Sequence, residues 1–276
     1  KKESSFMRTK KSILLCLLAI IALSLGACSS INNKGNSTQK KTSQSSRKAE
    51  DITSLLEEIE TTNEKMTSVR QKTDISGSLN TKEETIQKKQ KMTSQVIYKT
   101  EKQEVEMAYI SVKTLENGEE NFKELLMPGG EMTPMYTRYN KSGEWDKEIY
   151  GKDGKYIVNP DYFQLLKGLN ELTEDLALEE TDDAYVFKLK NKDADLISIY
   201  GDEFQFNLSQ FPDSKYKTDL IVKIDKKTKF LKEFKMTVST LSNKGLLTIK
   251  SETTYSDWNL VEKEDIPTNT DEKNEQ

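Results

Sequence analysis

Beyond about residue 104, apolar side chains recur at every second position in one run after another. Val105, Met107 and Tyr109 alternate with Glu104, Glu106 and Ala108, the period of a strand with one face buried. Tyr185, Phe187 and Leu189 repeat the pattern against Lys188 and Lys190, and Leu220, Val222 and Ile224 continue it. Phe230, Phe234, Met236 and Val238 alternate with Glu233, Lys235 and Thr237, and Leu247, Ile249, Thr253 and Tyr255 close the series. Between these runs stand Asn117-Gly118, Ser142-Gly143, Asp153-Gly154, Asp225-Lys226-Lys227 and Asn243-Lys244-Gly245. Residues that tolerate positive φ favour tight hairpins. The pattern predicts a large antiparallel sheet with one apolar face and one rich in Lys, Glu and Thr.

Three stretches change period. Ile52, Leu55, Leu56, Ile59, Met66 and Val69 share one stripe at helical spacing, opposite a run of acidic residues, which predicts a helix over 49–70. Asn159-Pro160 reads as an N-cap followed by proline in the first turn. Behind it Phe163, Leu165, Leu166, Leu169, Leu172 and Leu176 form an apolar stripe. Leu196, Ile199, Tyr200, Phe204, Leu208 and Phe211 have helical spacing around Gly201. The fold class expected is α+β.

The first 27 residues follow a different logic. Arg8, Lys10 and Lys11 precede an apolar stretch from Ile13 to Leu25, which is short for a membrane span of about 20 residues. Met7, directly ahead of Arg8, is a candidate translation start. The stretch ends Leu25-Gly26-Ala27-Cys28-Ser29, which resembles the lipobox of bacterial lipoproteins. That resemblance implies cleavage before Cys28 and a diacylglyceryl thioether on it, hence a chain lipid-anchored at the extracytoplasmic face of a membrane. Two acyl chains hold a protein stably where one does not. Ser29 to Arg47 is almost wholly polar and is expected to be a disordered tether, spanning about 24 Å root-mean-square as a flexible coil. The expected organisation is a signal peptide over 1–27, lipidated cysteine and tether over 28–48, one domain over 49–267 and a polar tail over 268–276.

Composition then removes chemistry. The 276 residues include no histidine, so no catalytic triad of the Ser-His-Asp type and no imidazole metal site can be built. With Cys16 in the signal, Cys28 would be the only mature cysteine, and no internal disulfide is available. Without residues 1–27, Lys and Arg number 37 against 45 Asp and Glu, a net charge near −8. Nucleic-acid binding, which needs a basic face, is not expected. Asp182-Asp183, Asp193 with Asp195, and Glu119-Glu120 all lie in hydrophilic stretches, where nothing would raise a carboxylate pKa for acid–base work. No enzyme activity, cofactor or metal is expected.

The order of elements (lipobox, tether, amphipathic helix, strands, Asn-Pro helix, final hairpins) resembles Gram-positive lipoproteins of the LolA/LppX-like superfamily, the lipoprotein-carrier fold. The stretches Tyr136–Trp145, Gly151–Tyr156 and Ile224–Phe234 carry the resemblance. It implies a strongly curved antiparallel sheet, a half-barrel, whose concave face is covered by helices and holds a lipid or an acylated peptide. Met107, Tyr109, Tyr136, Phe163, Leu166, Leu169, Phe204, Phe206 and Phe211 are the candidate lining of such a site. A stripe of Met and aromatic residues is more often ordinary core, and the same residues carry that reading too. In that case the protein is a lipid-anchored interaction module with a filled interior, facing another envelope protein.

Overall fold

The computed structural model describes residues 46–99, 102–116, 118–206, 208, 211 and 215–268, with side chains from residue 51 onward. Eleven strands form one antiparallel sheet: β1 (Ser68–Asn80), β2 (Thr85–Tyr98), β3 (Val105–Glu116), β4 (Glu119–Met127), β5 (Pro134–Arg138), β6 (Asp146–Ile149), β7 (Leu176–Glu180), β8 (Ala184–Leu189), β9 (Lys217–Asp225), β10 (Leu231–Ser242) and β11 (Gly245–Ser256). Their spatial order is β6-β5-β4-β3-β2-β1-β11-β10-β9-β8-β7. The first and last strands pair in the middle of the sheet, whereas β6 and β7, successive in sequence, are its two edges. The sheet is curved and unclosed, a half-barrel.

Three helices pack against its inner face: α1 (Ser46–Asn63), α2 (Tyr162–Glu171) and α3 (Leu196–Tyr200). The chain between β6 and β7 crosses from one edge to the other and carries α2. Gln71, on the inner face of β1, fastens this strap by donating to the Pro160 carbonyl at 3.3 Å. A tighter fastening follows at Tyr162. Its hydroxyl donates to Asn63 Oδ1 at 2.6 Å and accepts from the Leu231 amide at 2.9 Å. The Asn63 amide in turn donates to the carbonyls of Ile59 and Lys229, at 2.7 and 2.9 Å. One buried cluster thus ends α1, seats α2 and pins the start of β10. Every polar atom in it finds a partner, as a buried position requires.

Aromatic side chains fill the space between α2, α3 and the sheet. Tyr98 and Phe163 meet edge to face at 4.9 Å, as do Tyr162 and Tyr255 at 5.0 Å. Phe234 lies between Tyr200, at 4.9 Å, and Phe204, at 5.8 Å. The helices approach closely because residue 168 is glycine: a Cβ there would stand 2.5 Å from Tyr200 Cε1. The outer face carries a smaller cluster of Ile97, Leu126, Tyr136, Val261 and Ile266, where the chain end folds back across β2–β5.

Five sequence expectations are corrected. The first helix ends at Asn63 rather than near residue 70, and Val69 belongs to β1. The cap of α2 is Asp161, not Asn159; its carboxylate accepts the Phe163 and Gln164 amides at 2.9 Å each. Pro160 stands before the cap, so it is outside the helix. Helix α3 stops at Tyr200, and turns follow where the apolar spacing had suggested more helix. On β3 the inner face belongs to Ala108, Ile110 and Val112, while Met107 and Tyr109 face outward. A bulge explains this: Ile97 pairs with Met107 but Tyr98 with Val105, and a shift of one residue exchanges the faces. Asp153-Gly154 lies in the strap, not in a hairpin; Asn117 is outside the described residues.

Tyr162→Phe leaves the Asn63 oxygen and the Leu231 amide buried without their shared hydroxyl. We expect a loss of about 1–3 kcal/mol in urea unfolding, and an unchanged midpoint would remove the cluster from its structural role.

Candidate functional site

Beyond the N-terminal end of α2, toward the β6 edge, the interior is not filled. A cavity of about 670 Å³ lies between the sheet and the strap, within the range of about 300–1,000 Å³ usual for small-molecule sites. Its wall is built from alternate residues of four neighbouring strands: Met92 of β2, Ile110 and Val112 of β3, Leu125 and Met127 of β4, and Met135 of β5. Three of these six are methionines, whose unbranched side chains adapt to irregular guests.

The strap forms the other side with Tyr150, Gly154, Tyr156 and Ile157. It is held to the sheet at several points. Tyr156 bridges Val105 through its backbone, and its hydroxyl donates to the Pro134 carbonyl at 2.6 Å. The Tyr150 amide donates to the Thr133 carbonyl at 3.3 Å, and the Thr133 hydroxyl donates to the Gly154 carbonyl at 3.2 Å. Lys155 reaches Glu104 at 2.5 Å. This pairing, first through the hydrogen bond, holds the Glu104 carboxyl below its usual range. Gly154 is needed here, since a Cβ would come within 2.6 Å of the Tyr150 Cβ. Burial pushes the Tyr156 hydroxyl up to about 12, so it stays a neutral donor.

The two ends of the cavity differ chemically. Near α2 it is bounded by Asn159, Asp161 and Gln205. The Asp161 amide donates to the Glu203 carboxylate at 2.7 Å. Burial pushes Glu203 up to about 7, with the charges of Asp161 and Asp202 adding to the rise. Burial likewise raises Asp161, although two backbone amides oppose it. The Gln205 Oε1 is buried there with no hydrogen-bond partner. Lys123 of β4, with Gln103, Glu104, Asp153 and Lys155 from the loops, completes the polar lining. Among the described residues no group of three or more His, Cys, Asp or Glu side chains is placed to hold a metal ion.

None of the nine residues singled out from the pattern borders this cavity. Met107, Tyr109 and Tyr136 lie on the outer face, where the Tyr109 hydroxyl and the Arg138 guanidinium both contact the buried Glu124 carboxylate and Arg138 lies 4.4 Å from the Trp145 ring. Phe163, Leu166, Leu169, Phe204 and Phe211 are main-core residues, with Phe206 packed against them. Cys28, the signal stretch and the tether up to residue 45 lie outside the described residues, while residues 46–48, expected as the end of the tether, begin α1. The cavity wall itself left one trace in the sequence: the run Leu125-Leu126-Met127 ahead of Pro128-Gly129-Gly130, the mark of a strand buried on both faces.

No family model matches the chain, and no curated protein matches it either. Among solved structures it is similar to LprF from Mycobacterium bovis, with 12% identity over 79% of this chain and 97% of that one and a TM-score of 0.42. The LolA superfamily protein NE2245 from Nitrosomonas europaea shows the same identity and coverage with a TM-score of 0.26. A DUF1329 family protein from Desulfovibrio piger is 11% identical over 76% of this chain and 92% of that one, with a TM-score of 0.24.

The raised Glu203 predicts a pH dependence whose sign is fixed. An acid favoured in its neutral form contributes stability below its unfolded pKa and loses it as pH rises through the folded value. That window runs from about 4.5 to about 7. Glu203→Gln keeps an acceptor for the Asp161 amide without the charge. Relative to the wild type, the variant should gain about 1–3 kcal/mol between pH 4 and pH 8 in denaturant titrations. A difference independent of pH would show that Glu203 ionises freely.

Proposed function

We propose that this chain is a non-enzymatic, lipid-anchored extracytoplasmic protein that binds an apolar ligand, a lipid or an acylated peptide, in the half-barrel. The observation that carries the reading is the cavity of about 670 Å³ beside a tightly packed core. Well-packed interiors contain few voids larger than a water molecule. A space of this size with Met, Leu, Ile and Val on its wall offers a hydrocarbon chain about 0.8 kcal/mol for each CH₂ withdrawn from water. Exposed apolar residues surround its mouth: Tyr150 and Ile157 border the cavity, and Ile149 and Met132 adjoin them. Such a rim suits a ligand that passes between a membrane and the interior. The anchor would be the acylated Cys28, with the chain from there to the start of α1 at Ser46 as tether and the binding domain running on to residue 267. Among the described residues no helix is long and apolar enough to cross a membrane.

Two measurements test the reading. Native mass spectrometry with organic extraction should find an amphiphile at near-stoichiometric occupancy on the wild type. Met135→Trp, which fills the cavity from β5, should remove it while the protein stays folded. A clean apo mass, unchanged after incubation with membrane lipids, would refute the binding function. Independently, Cys28→Ser should abolish labelling by an alkyne-tagged palmitate and move the protein out of the membrane fraction. Persistent labelling at another residue would refute the anchor.

A further inference from the structure

Lys123 occupies a position its surroundings do not explain. On the inner face of β4 it precedes Leu125 and Met127 in the same row of side chains, and across the ladder its partner is Val112, whose partner is Met92. All of these line the cavity. A lysine set into an apolar row is ordinarily paired, and this protein pairs the other one on its inner face: Lys88 of β2 meets Glu116 at 3.2 Å. Among the described residues no carboxylate forms an ion pair with Lys123. Its ammonium stands 5.7 Å from the centre of the Tyr139 ring. The acid that faces it is Glu148, which is engaged by the Tyr150 hydroxyl at 3.1 Å. Burial pulls the lysine below its usual range, with Glu148 only partly opposing the shift.

The opposite end of the cavity supplies the complementary observation. Asp161 acts there on Tyr98, which lies six residues along β2 from Met92, a separation of about 20 Å. With Glu203 behind it and the unpartnered Gln205 oxygen beside it, that end repels an anion. Of the two lysines on the lining, Lys155 is already paired with Glu104, which leaves Lys123 as the place for a negative group on an elongated guest.

Resting on the reading of the cavity as a ligand site, we propose that the ligand is an anionic amphiphile, its carboxylate or phosphate head paired with Lys123 and its chain lying along Leu125, Met127 and Met135. The pairing gives the lysine the ion-pair partner that no described carboxylate provides, and it sets the direction of entry, chain first and head at the β4 end.

The test is displacement of the neutral fluorophore N-phenylnaphthylamine by four ligands of one chain length: dodecanoate, dodecyl phosphate, dodecanol and dodecylamine. Wild-type protein should bind both anions on the order of tenfold more tightly than the alcohol, the size of one charge-assisted hydrogen bond, and the amine no better than the alcohol. Lys123→Met should bring the anions down to the alcohol while leaving the alcohol unchanged, which also shows that the variant is folded. Lys123→Arg should restore the preference. A phosphate preference over carboxylate points to a phospholipid source, and the reverse to free fatty acids. Equal affinity for anion and alcohol, or a preference that survives in Lys123→Met, overturns the head-group assignment and leaves the apolar site standing. Failure of all four ligands to bind overturns the site as well.

Discussion

Strands β6 and β7 follow one another in the chain yet lie at opposite edges of the sheet, and the inner side is arranged around that separation. Had they paired, the meander would close into a barrel and its interior would be filled from the wall alone. Because they do not, the connecting segment has to cross the open side, and the inner face must be covered by what that segment brings. Its anchorage determines how. Gln71 holds the backbone at Pro160, and the Tyr162 hydroxyl joins Asn63 of α1 to Leu231 of β10. From Tyr162 onward the strap is a helix packed on aromatic rings. Before Asn159 it is a non-helical loop, tied to the sheet at Tyr150, Gly154 and Tyr156 with the cavity beneath it. The division between filled core and open cavity falls where the strap changes from loop to helix.

The middle of the inner face is unusually polar for a core. Gln71, Thr73, Lys88, Gln90, Ser94, Ser251 and Thr253 are all buried there. Some are satisfied, as in the hydroxyl contact of 3.1 Å between Thr73 and Thr253 or the Lys88–Glu116 pair. The hydroxyls of Ser94, Ser251 and Tyr255 have no protein partner. A buried hydroxyl without a partner costs about 1–3 kcal/mol, so this face is not optimised as a dry core. Its polar groups lie on β1, β2 and β11, between the aromatic packing under α2 and α3 on one flank and the methionine-rich wall on the other.

This polarity also decides what could be read from sequence. The strands β8 to β11 are legible because Phe187, Leu220, Val222, Phe234, Met236 and Ile249 all face inward and alternate with polar neighbours. Strands β1 and β2 are central and long, yet they leave no hydrophobic alternation, since their inward positions include Gln71, Thr73, Gly77, Lys88, Gln90 and Ser94. Val69 accordingly reads as the end of a helix. Met107 and Tyr109 show the right period on the wrong face, because a bulge at Ile97–Tyr98 leaves no mark in the spacing. The cavity is illegible for a related reason. Periodicity tells which positions are buried but not whether the space in front of them is occupied. Phe163 and Leu125 look alike in the pattern, and only the course of the strap makes one of them core and the other wall.

The two flanks divide the work that a single core usually does alone. Under α2 and α3, close aromatic contacts and the glycine at 168 give rigid, well-filled packing. Toward β6, flexible methionines face a loop that meets the core through Tyr156 and Val158 and is otherwise held by polar contacts to Thr133, Pro134 and Glu104. Such contacts open at lower cost than a packed helix does. The strap is thus firmly seated at Tyr162 and more easily displaced between Tyr150 and Ile157. The exposed Tyr150 and Ile157 lie in that weaker half, and Lys123 of β4 lines the same cavity. On the proposed function, a ligand would be admitted there without disturbing the aromatic packing under α2 and α3.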